Sequence, residues 1–226
     1  MINGKTVSAI ILVAGNSTRY GQNRNKNFEN VNGKTVLAYS LSAFDKNTYI
    51  DDIIIATKED EIEKVKDIVL KEKINKNVKF VIGGKTRKDS VYNCIKKSDS
   101  DLVIIHDGAR PVIKQEYITN CIQDLQKYKG VTVGVKSKDT IKITDENNIV
   151  VNTTQRANTW IIQTPQAFNR KVLLDTHEKY QNSDVTDDCM LLEKDNHDVK
   201  IIEADYTNIK ITTYEDINFV KEFLNN

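Results

Sequence analysis

Four segments of this chain carry side chains suited to handling phosphate. Ala14-Gly15-Asn16-Ser17-Thr18-Arg19-Tyr20-Gly21 is a run of mostly small residues with one guanidinium. In such a loop backbone N–H groups can approach an anion closely, and arginine adds a charged fork. Gly83-Gly84-Lys85-Thr86-Arg87 is a glycine turn running towards Ser90, where unpaired N–H groups at a helix start favour an anion or a polar base edge. His106-Asp107-Gly108-Ala109-Arg110-Pro111 sets a carboxylate, suited to a sugar hydroxyl or a metal, close to a second arginine. Asn208-Ile209-Lys210 offers a lone lysine between two isoleucines.

Arginine is scarce: of 33 Lys plus Arg only six are Arg. Arg19, Arg87 and Arg110 fall in such segments and Arg156 in the motif that opens at Gln155-Arg156, while Arg24 and Arg170 have no assigned role. Where lysine supplies most surface charge, arginine at four motif positions points to a need for a rigid fork.

Each segment also has a plainer reading. The first is an ordinary loop between strand and helix, and the second a plain strand-to-helix turn. Lys26 sits in the polar run Asn23–Phe28, where a solvated lysine is the default. Lys210 reads as a solvent-facing strand lysine, and Asp187 and Asp188 as cap and dipole partners of a helix start. His106 ends a buried run and reads as a core residue. Several motifs are excluded outright. A dinucleotide fingerprint would need Gly at Ser17 and Tyr20, and a P-loop would need Gly at Lys79. No nucleophile triad is legible. Cys94, Cys121 and Cys189 form no CxxC pair, and His106, His177 and His197 are scattered, so no zinc cluster is legible either.

The elements that must position these residues alternate in type. Ser8–Val13, Asp52–Ala56, Val78–Ile82, Leu102–His106 and Val131–Val135 read as strands. Lys34–Phe44, Glu61–Leu70, Arg87–Lys97 and Gln115–Lys127 read as helices between them. This predicts an α/β fold with a largely parallel sheet, in which ligands bind beyond the carboxyl ends of strands. The first three phosphate-suited segments fall at those ends. Asp139–Thr144 and Ile149–Thr154 read as a hairpin around the turn Asp145–Asn148, inserted into the α/β plan as an arm at about 137–157. Then come a strand at Trp160–Gln163, helices near Lys171–Tyr180 and Thr186–Lys194, a strand at Val199–Glu203, and a capping box Thr212–Glu215 opening a last helix. With no repeat or linker, the chain reads as one domain, 1–226, plus the arm.

Together these residues resemble the 2-C-methyl-D-erythritol 4-phosphate cytidylyltransferase family of the non-mevalonate isoprenoid pathway. The matching segments are LVAGNSTRYG…NKNF, GGKTRKDSV, HDGARP, DTIK, QR…W..QTPQAF, TDD and NIKITTYEDI, in order and nearly end to end. A sister family making CDP-ribitol from ribitol 5-phosphate is similar over the same segments. Trp160 and the Asp107–Pro111 wording lean to the first, and a non-catalytic nucleotide-binding protein is the alternative of another class.

The resemblance implies a Rossmann-like nucleotidyltransferase fold, CTP as substrate and a divalent cation, usually Mg²⁺. It implies Ala14, Gly15, Gly83 and Ser90 around the cytidine, and Arg19, Lys26 and Lys210 on the triphosphate. Asp107 would face the sugar, the second substrate or the metal, with Thr186 a further contact. Thr140 and Arg156, on the arm, would reach across a homodimer to the partner's second substrate. Two departures stand out. Asn16 replaces a glycine, and Asn25-Lys26-Asn27 replaces a Pro-Lys-Gln run. The missing proline predicts a looser Lys26, while Asn16 tolerates a left-handed backbone.

The balanced charge, 33 Lys plus Arg against 32 Asp plus Glu, excludes nucleic-acid binding by bulk basicity. The apolar run Ile10–Val13 is too short for a signal peptide or a membrane span. The expectation is therefore a cytoplasmic enzyme acting on small molecules, with neither nucleic acid nor membrane as partner.

Overall fold

A computed structural model describes residues 1–21 and 25–224; Arg24 lies outside the described residues. In chain order the elements are β1 (Val7–Leu12), β2 (Asn30–Val31), β3 (Lys34–Thr35), α1 (Val36–Lys46), β4 (Asp52–Thr57), α2 (Ile62–Lys71), β5 (Asn77–Ile82) and α3 (Arg87–Lys97). There follow β6 (Leu102–Asp107), α4 (Gln115–Asp124), β7 (Gly130–Lys136), β8 (Lys142–Thr144), β9 (Val150–Thr153) and β10 (Trp160–Asn169). The chain closes with α5 (Arg170–Lys179), α6 (Cys189–Lys194), β11 (Val199–Glu203) and α7 (Asp216–Leu224).

Period-2 alternation of large apolar residues builds the centre. In β1 and β6, Ala9, Ile11, Leu102 and Ile104 face one core, under α1, α2 and α4. Ile10, Val103 and Ile105, from the same strands, face the other core with Val91, Ile95 and Leu173 of α3 and α5. Both faces of the sheet are thus covered, as a buried parallel sheet requires. The sheet has seven strands in the order β11-β7-β10-β6-β1-β4-β5. All run one way except β10, which is antiparallel to both β6 and β7. From β1 the chain goes to β4 on one side and returns to β6 on the other. This opens a crevice at the carboxyl ends of β1 and β6.

The predicted α/β plan and the hairpin are both present, and β8–β9 forms a two-stranded sheet of its own. Four local readings are corrected. β10 runs through Pro165 to Asn169, because a register shift between Ile162 and Gln166 accommodates a residue that cannot donate to the ladder. α6 begins at Cys189, not Thr186. The last helix begins at Asp216, whose Oδ2 accepts from the backbone of Thr212 and Thr213, so Thr212–Glu215 is not its capping box. Asn208–Ile211 is irregular, not a strand. Among the described residues no helix is long and apolar enough to cross a membrane.

Candidate active site

The crevice beyond β1 and β6 holds three adjoining cavities. The first, about 280 Å³, is lined by Ala14, Gly15, Ser17, Lys26, Ser90, Asp107 and Lys210 among others. The second, about 420 Å³, shares Arg87, Asp107 and Lys210 with it and adds Arg110, Thr164 and Thr186. The third, about 120 Å³, contains Arg19 with Ser17, Lys26 and Lys210. Lys210 lines all three. Gly83 stands behind the first cavity: a Cβ there would lie 2.4 Å from the Ala14 Cβ and 3.1 Å from Ser90 Oγ. Only glycine allows β5 to close against that wall.

Asp107, buried at the end of β6, is the electrostatic centre. Its Oδ2 lies 2.6 Å from Lys210 Nζ and 4.0 Å from Arg110 Nε, and its Oδ1 lies 3.4 Å from Arg87 Nε. Burial alone would raise its pKa, but Arg87, Lys210 and Arg110 together hold it far below the carboxylate range. Arg87, Arg110 and Lys210 face two carboxylates, Asp107 and, through Arg87, Asp188; the surplus positive charge suits a polyanion.

Lys26 is held by the substitutions that predicted a looser segment. Asn25 Oδ1 accepts from Asn27 N at 3.0 Å and caps the short turn Lys26–Phe28, while Asn25 Nδ2 donates to Glu61 Oε2 at 2.8 Å. Asn27, buried, donates to Asn25 Oδ1 at 2.9 Å. Asparagine side chains thus tie down the turn on either side of Lys26 where the proline ring is missing. The Lys26 ammonium is pushed down to about 8, first by burial and then by the like charge of Lys210. In the loop after β1 Ser17, φ 50°, takes the left-handed backbone and Asn16 does not, and the Ser17 Oγ is buried without a partner.

Lys210 is aimed by its neighbours. Asn208 is fully buried and donates to Gln163 Oε1 at 2.9 Å and Thr164 O at 3.0 Å, while its own carbonyl accepts from Arg110 Nη1 at 2.8 Å. Ile211 N then donates to Ala109 O at 2.9 Å. These bonds satisfy the backbone without a sheet and turn Lys210 inward, against its reading as a solvent-facing strand lysine. His106 is the core residue expected. Its ring nitrogens lie 3.1 Å from Arg110 O and 3.1 Å from Thr164 Oγ1, and burial drops its pKa to about 4, so it is neutral near pH 7.

Thr140 and Arg156 stand apart on the exposed arm, where Arg156 Nη2 donates to Thr140 Oγ1 at 2.8 Å. No cavity described above includes them. Ser17, Asn27, Asn208 and Asp188 had no functional sequence reading. Asp187 does cap, its Oδ1 accepting from Met190 N at 3.2 Å, but Asp188 makes no cap bond and pairs with Arg87 instead. Its partner is 101 residues away, beyond any local pattern. Among the described residues no three His, Cys, Asp or Glu side chains converge as metal ligands, and the three cysteines are buried and free.

Comparison with known proteins places the chain in a family. The family model described as "IspD: 2-C-methyl-D-erythritol 4-phosphate cytidylyltransferase" matches residues 7–226. A 2-C-methyl-D-erythritol 4-phosphate cytidylyltransferase of Caldanaerobacter subterraneus subsp. tengcongensis is 44% identical over 223 residues, covering 96% of this chain and 98% of that one. One from Clostridium botulinum (strain Langeland) is 43% identical, covering 96% of each. The crystal structure of 4-diphosphocytidyl-2C-methyl-D-erythritol synthase from Anaerococcus prevotii superposes with a TM-score of 0.88 at 38% identity, covering 99% of this chain and 100% of that one. By sequence along nearly its whole length and by fold, this chain belongs to the 2-C-methyl-D-erythritol 4-phosphate cytidylyltransferase family.

Proposed function

We propose that this chain joins CTP to 2-C-methyl-D-erythritol 4-phosphate, giving 4-diphosphocytidyl-2-C-methyl-D-erythritol and pyrophosphate, at the crevice where the three cavities meet on Lys210. The observation that carries the site assignment is that junction: a cluster with surplus positive charge between one cavity walled by glycine turns and another opening towards Thr186. Ala14, Gly15, Gly83 and Ser90 take the cytidine. Arg19, Lys26 and Lys210 take the triphosphate, and the unpaired Ser17 hydroxyl is free to join them. Asp107 and Thr186 face the acceptor. The whole chain, 1–226, acts as one domain bearing the arm.

A phosphate oxygen of the acceptor attacks the α-phosphorus in line, a new P–O bond forms, and the bond to the bridging oxygen breaks to release pyrophosphate. The attacking oxygen is already anionic, so no general base is needed; the neutral His106 and the buried cysteines fit that chemistry. What the protein supplies is alignment and neutralisation of charge developing at the α-phosphate.

Among the described residues Asp107 is the only carboxylate lining the first cavity, and it is already paired, so it does not make a metal cage by itself. Mg²⁺ commonly rests on one or two carboxylates plus substrate phosphates; Asp107, with its oxygens held by Lys210, Arg87 and Arg110, does not fit that role, and a divalent ion arriving with CTP would rest on the nucleotide's own phosphates.

Lys26 gives the reaction a pH dependence. Free enzyme loses its ammonium charge as pH rises through about 8, whereas a bound triphosphate favours the charged form. Above that pH, CTP binding must take up a proton. Hence kcat/KM for CTP is expected to fall above about pH 8, approaching tenfold per unit. A profile flat to about pH 10 would remove Lys26 from phosphate binding.

The arm supports a homodimer. Ile149 is 64% and Val151 67% exposed, and a two-stranded hairpin is marginal in water without something packed on it. A second copy covering it would bring Thr140 and Arg156 to the partner's acceptor. Arg156→Ala is then expected to raise the acceptor KM about 10–100-fold, the worth of one charge-assisted hydrogen bond, with the CTP KM unchanged. Equal rises in both would indicate a defect of folding or assembly instead.

The assignment is tested by incubating the protein with CTP, Mg²⁺ and either methylerythritol phosphate or ribitol 5-phosphate, and following pyrophosphate release. The relatives' shared description supports turnover with the first. Turnover with ribitol phosphate alone would reassign the acceptor, and none with either would leave a nucleotide-binding protein.

A further inference from the structure

Arg87 is held at two points. Its Nε faces Asp107 Oδ1 at 3.4 Å, and its Nη1 donates to Asp188 Oδ2 at 2.6 Å. Asp188 arrives from the opposite wall of the crevice, at the amino end of α6, with its side chain only 1% exposed. Its other oxygen faces His177 Nε2 at 3.5 Å, an ion-pair distance without hydrogen-bond geometry, and that ring stacks on Tyr92. Burial would raise the Asp188 pKa, but Arg87 holds it below the usual range. The guanidinium therefore bridges two buried carboxylates, one on each wall.

A planar fork fixed at two points has its orientation defined. Freed from Asp188, Nη1 could turn onto Asp107, whose Oδ2 is bonded to Lys210 at 2.6 Å. The two cations would then compete for one carboxylate, and Lys210 would shift. The neighbouring Lys88 grips the same wall: its Nζ donates to the carbonyls of Tyr180, Gln181 and Ser183 at 2.6, 2.7 and 3.0 Å. Residues 180–188, Thr186 among them, are thus clamped at both ends onto the first turn of α3.

We propose that Asp188 is a positioning residue for cytidylyl transfer: it fixes the Arg87 fork between the two substrate cavities and so keeps Asp107, Lys210 and the Thr186 segment in mutual alignment. This rests on the transfer reading above. The test is steady-state kinetics of the full chain with both substrates, for wild type, Asp188→Asn, Arg87→Gln and the double variant.

Asp188→Asn is expected to lower kcat about 10–100-fold and raise the acceptor KM, with the CTP KM within about threefold, the pattern of misplacement and not of lost nucleotide contact. In the Arg87→Gln background the same change should cost nothing further, because the two residues act as one unit. Wild-type kinetics in Asp188→Asn, or a full additional cost in the double variant, overturns the proposal. If Asp188→Asn does not fold, Arg87→Gln decides alone: the same kcat and acceptor effects support the bridge, and wild-type values overturn it. Wild-type protein that turns over neither acceptor removes the transfer reading and this role with it. Active wild type with additive variants removes this role only.

Discussion

Lys210→Ala is expected to lower kcat by about 10²–10³, the usual cost of one transition-state charge contact, while thermal unfolding moves by only a few degrees. The two halves of that expectation have separate origins. Among the described residues Lys210 alone lines all three cavities, so in the proposed assignment it alone reaches nucleotide, acceptor and the path of the leaving group. Yet its own side chain is 35% exposed, and Asp107 keeps Arg87 and Arg110 when Lys210 is gone. Stability therefore does not depend on it as turnover does. Single-turnover rates and a melting curve on the same preparation check both halves. An enzyme with wild-type kcat would show that the lysine only balances Asp107.

Asp107→Ala should be worse in both respects. It removes the carboxylate on which Arg87, Arg110 and Lys210 converge, and Arg110 Nε is buried with no hydrogen-bond partner. Breaking a buried pair from one side costs about 3–5 kcal/mol, which for a chain of this size lowers Tm by about 10 °C. Turnover should fall below detection even well under the new Tm, because the cations that align both phosphates would repel one another. The sign of its pH dependence also follows. The folded-state pKa of Asp107 is depressed, so its contribution is present above the unfolded value, about 4, and is lost as pH falls below it. The stability gap between wild type and Asp107→Ala should narrow below about pH 4. A gap constant to lower pH would mean that the loss is one of packing, not charge.

How much of this the residues disclosed on their own differs from element to element, for physical reasons. Strands such as Ile53–Ala56 and helices such as Arg87–Lys97 follow from apolar periodicity, a local property. The loops after β1, β5 and β6 were legible as binding segments because strand ends in a parallel sheet face one crevice. Lys210 was singled out with them, but its inward aim was not legible from spacing, because Ile209 and Ile211 mimic strand alternation, whereas Asn208 and Arg110 settle the backbone through distant partners. Asp188 looked like a helix cap for the same reason: an aspartate at a helix start is usually local, and its guanidinium lies far away in sequence. The strand read at Trp160–Gln163 stops short, because a register shift carries β10 through Pro165 to Asn169. At the Asn25–Asn27 turn, where departure from a family pattern predicted loosening, the side-chain hydrogen bonds of the two asparagines were not legible either, because one of their partners, Glu61, is distant in sequence.

In the proposed transfer one in-line displacement at the α-phosphorus, with no covalent enzyme intermediate, suffices. The most direct measurement is the stereochemical course of transfer from a single diastereomer of the α-thio analogue of CTP. One displacement predicts inverted configuration at phosphorus in the 4-diphosphocytidyl-2-C-methyl-D-erythritol product. Retention would require two displacements and a covalent nucleophile on the protein, and would contradict the account.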